Sequence, residues 1–175
     1  PEAVWALLVR PAQWWSDQHS FSLDASNLTL DARAGGCFCE TLPGGDDARA
    51  LPRGSVEHMR VVYAETQRAL RMRGALGPLQ QDALTGTLTI TLRPVDGGGT
   101  RIRWEYVVGG FMRGRPQDAA LAADLMLAEQ IGNLARGLGA GAPAPRSSPD
   151  EPEGAVLPGP ALRDDPLSDP DFLGR

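Results

Sequence analysis

The chain has 175 residues, a formal net charge of −5 and a hydrophobic content of 42%, and all 17 of its basic side chains are arginines. One domain is usual for roughly 100–200 residues. No apolar run approaches the ~18 residues of a membrane helix, so membrane insertion is not expected. The lack of lysine excludes Schiff-base catalysis by a lysine amine.

The negative charge is concentrated at the carboxyl end. Residues 140–175 hold seven acidic residues, three arginines and eight of the fifteen prolines, a net charge of −4 that leaves −1 for residues 1–139. Such a composition offers little apolar surface to offset the entropy of ordering, so we expect one domain over residues 1–139 and a disordered tail over residues 140–175. A near-neutral domain also lacks the basic surface that attracts nucleic acids or anionic membranes.

The amino-terminal segment predicts a short helix over residues 1–10, with apolar residues on one face and Pro11 at its end. The polar segment that follows carries Trp14 and Trp15. Tryptophans in a connecting segment of this kind favour a position at the mouth of a pocket.

From residue 28 to residue 110 the apolar period changes to two, which is typical of strands covered on one face. Strands are predicted at residues 28–31, 37–42, 55–66, 68–76, 84–94 and 100–108. Leu88 and Ile90 share the inner face of the fifth of these strands, and Trp104 and Tyr106 share that of the sixth.

The apolar pattern of residues 117–139 predicts the one long helix. Its expected apolar stripe lies across the sheet and consists of Leu121, Leu125, Leu127, Ala128, Ile131, Leu134, Ala135 and Leu138. Asp124 falls within that stripe, so we expect its carboxylate to be buried and turned toward the sheet. It would either meet protein hydrogen-bond donors or line a cavity.

Three polar side chains of the predicted sheet are candidates for function. His58 is a possible general base, although a strand histidine is more often a hydrogen-bonded cross-strand residue. Glu40 and Glu57 could approach His58 or Arg60, either as a surface ladder of ion pairs, which we favour, or as a polar cluster at a pocket edge. Tyr106 is a candidate for contact with a polar ligand group, because its hydroxyl needs a partner.

Cys37 and Cys39 lie two residues apart in a predicted strand, where we expect neither a mutual disulfide nor a metal site. No phosphate-binding motif, nucleophile motif or metal-spaced histidine pair is present, so no cofactor is expected. The interruption at residues 74–80, with two glycines and a proline, indicates either a bulged strand end or a loop that gates a cavity.

The order of helix, antiparallel strands and long carboxy-terminal helix resembles the helix-grip fold of the START/Bet v 1-like (SRPBCC) superfamily. Similar strings are PEAVWALLVRPAQWW, GGCFCE, SVEHMRVVYAETQRALRMRG and GGTRIRWEYVV, which together span most of residues 1–139. The most similar subgroup is the polyketide cyclase/dehydrase and Hsp90-ATPase-activator-like group. Its members begin with an edge strand before the first helix, and because the sequence starts at Pro1 we expect this strand to be absent from it.

The resemblance implies an α+β domain in which a curved antiparallel sheet wraps around the long helix and encloses a cavity for lipids, polyketides or other apolar molecules. It also suggests a location in the bacterial envelope or periplasm; otherwise a cytoplasmic location is expected. It fixes neither a chemistry nor an oligomeric state.

We therefore favour a binder of a small apolar molecule over an enzyme. The expected ligand-binding residues are Trp14, Trp15, His58, Leu88, Ile90, Trp104, Tyr106 and Asp124. One alternative is a cyclase or dehydratase that uses two of His58, Tyr106 and Asp124 for proton transfer. Another is a chaperone-interacting module, which would have a filled interior and an exposed apolar patch.

Overall fold

A computed structural model describes residues 1–44 and 53–139. The expected disorder of residues 140–175, and most of the long connection after Leu42, lie outside the described residues. No helix of the described part is long and apolar enough to cross a membrane.

The described part is an α+β domain with one open six-stranded antiparallel sheet and a long carboxy-terminal helix. The elements are α1 (Glu2–Leu8), β1 (Leu28–Leu30), β2 (Cys37–Leu42), β3 (Gly54–Glu65), β4 (Ala69–Arg73), β5 (Ala83–Pro94), β6 (Thr100–Phe111) and α2 (Pro116–Gly137). The strands pair in chain order from β1 to β6, so that each is hydrogen-bonded to its sequence neighbour. Short 3₁₀ turns at residues 11–13, 17–19 and 25–27 join α1 to β1.

The turns between strands follow the local sequence. Gln67 has a φ of 65° in the tight turn between β3 and β4. Three successive glycines with positive φ, at positions 97–99, turn the chain between β5 and β6. This left-handed region costs a residue with a side chain more than it costs glycine, which explains the glycine run.

The sheet buries one face, as its period of two predicts. On β5, Leu88, Ile90 and Leu92 are buried, whereas the intervening threonines are half-buried on the other face. Leu127 and Leu134 of α2 enter the same core as these strand residues.

The face that α2 buries differs from the predicted stripe. Leu121 and Leu125 are 62% and 64% exposed, while Leu127, Gln130 and Leu134 are buried. At about 100° per residue the buried row lies roughly 150° around the helix from Leu121. Leucines occur on both sides of α2, so apolar periodicity alone could not select the side that contacts the core.

A disulfide joins Cys37 to Cys39, contrary to the sequence-based expectation. A register shift opposite β3 interrupts the pairing between Phe38 and Cys39. The Cα–Cα distance between the two cysteines is 5.4 Å, shorter than the roughly 6.6 Å of two residues in a regular strand. The irregularity thus brings them within the range in which disulfides form.

Candidate functional site

A small apolar cavity lies between the inner face of the sheet and the segment that follows α1. Its volume is about 20 Å³, close to what one water molecule needs. It is lined by Leu8, Pro11, Trp14, Trp15, Leu30, Phe38, Leu70, Met72, Leu88, Ile90 and Trp104. Five of the eight predicted ligand-binding residues belong to this lining, namely Trp14, Trp15, Leu88, Ile90 and Trp104.

Backbone contacts hold the two tryptophans after α1 in place. The indole Nε1–H of Trp14 donates to the carbonyl of Leu7 over 2.9 Å, and that of Trp15 donates to the carbonyl of His19 over 2.9 Å. The Trp15 ring also meets the Phe38 ring edge-on, with centroids 5.2 Å apart. These contacts satisfy both indole donors and leave the ring surfaces to line the cavity.

Trp104 on β6 differs from the other two tryptophans. Its ring packs edge-on against Trp14 with centroids 6.0 Å apart. Its Nε1 is buried and, within the described part of the chain, has no hydrogen-bond partner. A buried donor without a partner is uncommon in proteins and costs free energy, so this indole nitrogen, on a residue that lines the cavity, lacks an acceptor that would lower that cost.

Glu40 and His58 form a buried polar pair beside the cavity rather than in its lining. The Nε2 of His58 lies 2.9 Å from a Glu40 carboxylate oxygen, and the two side chains are 5% and 0% exposed. The backbone N–H groups of Phe21 and Ser22 also donate to Glu40, over 3.0 and 2.5 Å. Phe38 lies between this pair and the tryptophans. Its ring centroid is 5.1 Å from that of His58, and Phe38 also lines the cavity.

The irregular pairing of β2 with β3 explains why His58 faces inward. Phe38 pairs with Met59 and Cys39 pairs with Glu57, which leaves His58 as the extra residue of a β-bulge. His58 and Met59 are therefore both buried, although they are consecutive. Strand alternation alone could not decide the facing of His58, because a bulge shifts the alternation by one residue.

The protonation of the pair follows from its surroundings. Burial lowers the pKa of His58 below its ordinary value near 6.5, although the Glu40 carboxylate opposes this shift. Burial raises the pKa of Glu40, but hydrogen bonds from Ser22, Phe21 and His58 outweigh it, so that the pKa lies below 4.5. At neutral pH Glu40 is thus ionised and His58 is neutral, with the proton on Nε2, because an ionised carboxylate only accepts hydrogen bonds.

The two carboxylates considered together in the sequence have different environments. The favoured surface ladder describes Glu57, which pairs with Arg60 where both side chains are about half exposed. It is wrong for Glu40, which is buried with His58. The alternation in CFCETL places Phe38 and Glu40 on one face and was the available signal for this burial.

Tyr106 finds its partners in the protein. Its hydroxyl donates to the carbonyl of Gly74 over 3.2 Å and accepts the N–H of Leu76 over 3.0 Å. Burial raises the pKa of Tyr106, so the hydroxyl stays protonated. Tyr106 therefore fastens the segment after β4 to β6, and a 3₁₀ turn at Gly77–Gln81 follows.

The expected orientation of Asp124 is wrong, because this residue is exposed on α2. The buried polar residue of α2 is Gln130, which the sequence analysis did not single out. Gln130 is fully buried. Its Oε1 accepts the Ser16 N–H over 2.8 Å, and its Nε2 lies 2.9 Å from Nδ1 of His19. These bonds fix the segment that carries Trp14 and Trp15 to the helix.

Each of the three candidates for proton transfer lies in a different environment. His58 is bonded to Glu40, the Tyr106 hydroxyl is bonded to the backbone of residues 74 and 76, and Asp124 is on an exposed part of α2. None of the three is among the cavity-lining residues. Within residues 1–44 and 53–139, no group of three or more histidine, cysteine or acidic side chains could hold a metal ion.

Comparison with solved structures finds a similar fold. The chain is similar to the crystal structure of protein MLL2253 from Mesorhizobium loti, with a TM-score of 0.52 and 21% sequence identity over 79% of this chain and 88% of that one. This likeness concerns the fold alone. No family model matches the chain, and no curated protein is significantly similar to it.

Proposed function

We propose that residues 1–139 are a helix-grip domain of the START/Bet v 1-like superfamily that binds a small apolar molecule carrying one hydrogen-bond acceptor. The assignment to the superfamily rests on the sequence resemblance together with the antiparallel meander followed by a long helix. Both features are compatible with the helix-grip arrangement.

The observation that carries the binding proposal is the chemistry of the cavity lining. Three tryptophans and a phenylalanine meet aliphatic residues there, and the Nε1 of Trp104 is the buried donor without a partner. Ligand sites commonly combine an apolar lining with a few polar groups that fix orientation. An acceptor on the ligand, such as a carbonyl oxygen, would satisfy Trp104 and so offset part of the cost of burying it.

Cavity size bears on the mode of binding. About 20 Å³ does not accommodate a lipid or a polyketide without movement of the lining. Met72 is the side chain best suited to such movement, because methionine is unbranched and adopts several rotamers at low cost. The proposal therefore requires that ligand entry enlarges the cavity.

A matched pair of probes tests the proposal. Cyclohexanone and cyclohexane have similar shapes but differ in one hydrogen-bond acceptor. Binding is followed by NMR chemical shifts of the indole and methyl groups of the cavity lining. We expect Trp104→Phe to lower the ratio of cyclohexanone affinity to cyclohexane affinity roughly 2- to 10-fold, the equivalent of one hydrogen bond, because the smaller ring changes the space available to both probes alike.

The control and the contrary outcome use the same titration. Trp5→Phe changes a tryptophan that packs against the core without lining the cavity, so it should leave the preference for the ketone intact. If neither probe shifted the signals of cavity residues, or if Trp104→Phe weakened both probes equally, the proposed role of Trp104 would be wrong.

A second candidate function is an interaction module of the Hsp90-activator type. Exposed apolar side chains favour it, because Val107 and Phe111 of β6 and Leu121 and Leu125 of α2 are each more than 60% exposed. The test is a titration of purified Hsp90 from the same source. Binding that Leu121→Ser and Leu125→Ser together abolish would support this candidate, and the absence of binding would contradict it.

A further inference from the structure

We propose that Cys37 and Cys39 form a reversible thiol–disulfide site on the outer face of the sheet. Phe38 and Glu40 point to the core from β2, so the cysteines between and before them face the other way. Both cysteines are half-buried, and their sulfurs are bonded to each other. Since neither cysteine is fully buried, we expect a small-molecule thiol to reach the bond from solvent, which exchange requires.

The neighbouring strand places residues of opposite charge across from the two cysteines. Cys37 lies directly opposite Arg60, and Cys39 lies directly opposite Glu57. These two residues of β3 are themselves ion-paired and about half exposed on the outer face. A neighbouring guanidinium favours a thiolate, whereas a neighbouring carboxylate disfavours it. We infer that Cys37 is the more acidic thiol of the pair.

This asymmetry sets the order of the exchange steps. In reduction by a dithiol, its thiolate attacks the Cys39 sulfur, the sulfur–sulfur bond breaks, and Cys37 leaves as a thiolate because the more acidic thiol leaves faster. The second thiol of the reductant then displaces Cys39, so that two electrons and two protons pass to the protein and the reductant becomes a cyclic disulfide.

Reoxidation returns both electrons to an added disulfide, through a mixed disulfide on Cys37. With glutathione disulfide, the Cys37 thiolate attacks and releases one glutathione. The thiolate of Cys39 then attacks the mixed disulfide, releases the second glutathione and restores the bond to Cys37. The protein loses the two electrons and two protons that it gained.

The first test uses the unmodified chain. Folded protein is treated with dithiothreitol, freed of it, and then treated with glutathione disulfide, while thiols are counted with an alkylating reagent by mass spectrometry. We expect no reactive thiol before reduction, two after it and none after reoxidation, with the same circular dichroism spectrum throughout. Thiols that persist after reoxidation, or that react only once the chain is unfolded, would overturn the proposal.

The second test measures the asymmetry by the iodoacetamide rate of single-cysteine chains near neutral pH. Cys39→Ser, which retains Cys37, should react roughly 2- to 5-fold faster than Cys37→Ser, the range expected for half-exposed charges. Arg60→Gln should slow the alkylation of Cys37 in the Cys39→Ser chain, whereas Arg101→Gln on β6, at the far edge of the sheet, should leave that rate unchanged. Equal rates of the two single-cysteine chains, or a Cys37 rate that Arg60→Gln does not lower, would contradict the assignment of Cys37.

Discussion

At the scale of single residues, the Glu40–His58 pair is the feature whose energetics the structure defines best. Two backbone N–H groups and the imidazole meet one fully buried carboxylate. Hydrogen bonds to a buried charge stabilise a protein strongly only when every partner is present, because a charge left unmatched in the core is costly. The pair therefore ties the chain at Phe21 and Ser22 to the sheet.

We predict that the domain loses stability as the pH falls from neutral. The pKa of His58 is lowered by burial, so the unfolded chain takes up a proton first, and this contribution is complete above about pH 6.5 and is lost as the pH falls toward the folded pKa. The pKa of Glu40 is also lowered, and its contribution is complete above about pH 4.5 and is lost in stronger acid. Thermal melts from about pH 4 to about pH 8 check this prediction.

Substitutions isolate the two contributions. His58→Gln should flatten the upper part of the pH profile, and Glu40→Gln should lower the free energy of unfolding at neutral pH by about 1–3 kcal/mol. Glu57→Gln changes the half-exposed carboxylate of the neighbouring ion pair and should cost less than about 1 kcal/mol. A His58→Gln profile parallel to that of the unsubstituted chain would show that His58 does not titrate in this window.

At the scale of elements, the pairing of β5 with β6 depends on a close approach between a glycine and a tyrosine. Gly86 lies under the Tyr106 ring, and a Cβ added at this position would lie 2.5 Å from a ring carbon and 2.7 Å from the carbonyl oxygen of Gly74. The same Tyr106 hydroxyl holds the segment after β4 through Gly74 and Leu76. One small residue thus permits a contact that joins three strands.

We predict that Gly86→Ala destabilises the domain by roughly 1–3 kcal/mol, because either the ring or the β4 end must move to admit the methyl group. Gly109→Ala on β6 is the matched control, since no atom lies within 4 Å of the added Cβ there. Its effect should stay within about 0.5 kcal/mol. Urea denaturation of the two variants checks the difference, and equal stabilities would show that the approach of Tyr106 to Gly86 relaxes without cost.

At the scale of the whole molecule, the sequence separates a near-neutral domain from an acidic, proline-rich segment over residues 140–175. We predict that a chain ending at Gly139 keeps its melting temperature within about 4 °C of the full chain, because that segment has few apolar groups to contribute to a core. Differential scanning calorimetry of the two chains provides the measurement. A larger decrease would place part of the folded domain beyond residue 139.

The sequence by itself determined the order of the helices and strands and the buried face of β5, because the strand alternation in LTGTLTITLRP acts locally. It also placed Trp14 and Trp104 near one pocket. Only the tertiary structure decided which side of α2 is buried, since leucines occur on two sides of this helix, and Gln130 bonds the distant Ser16 and His19 from the buried side. The sequence also could not predict the bulge at His58. One extra residue in β3 relative to β2 reverses which side chains face the core, and that shift depends on the pairing of two strands rather than on either sequence alone.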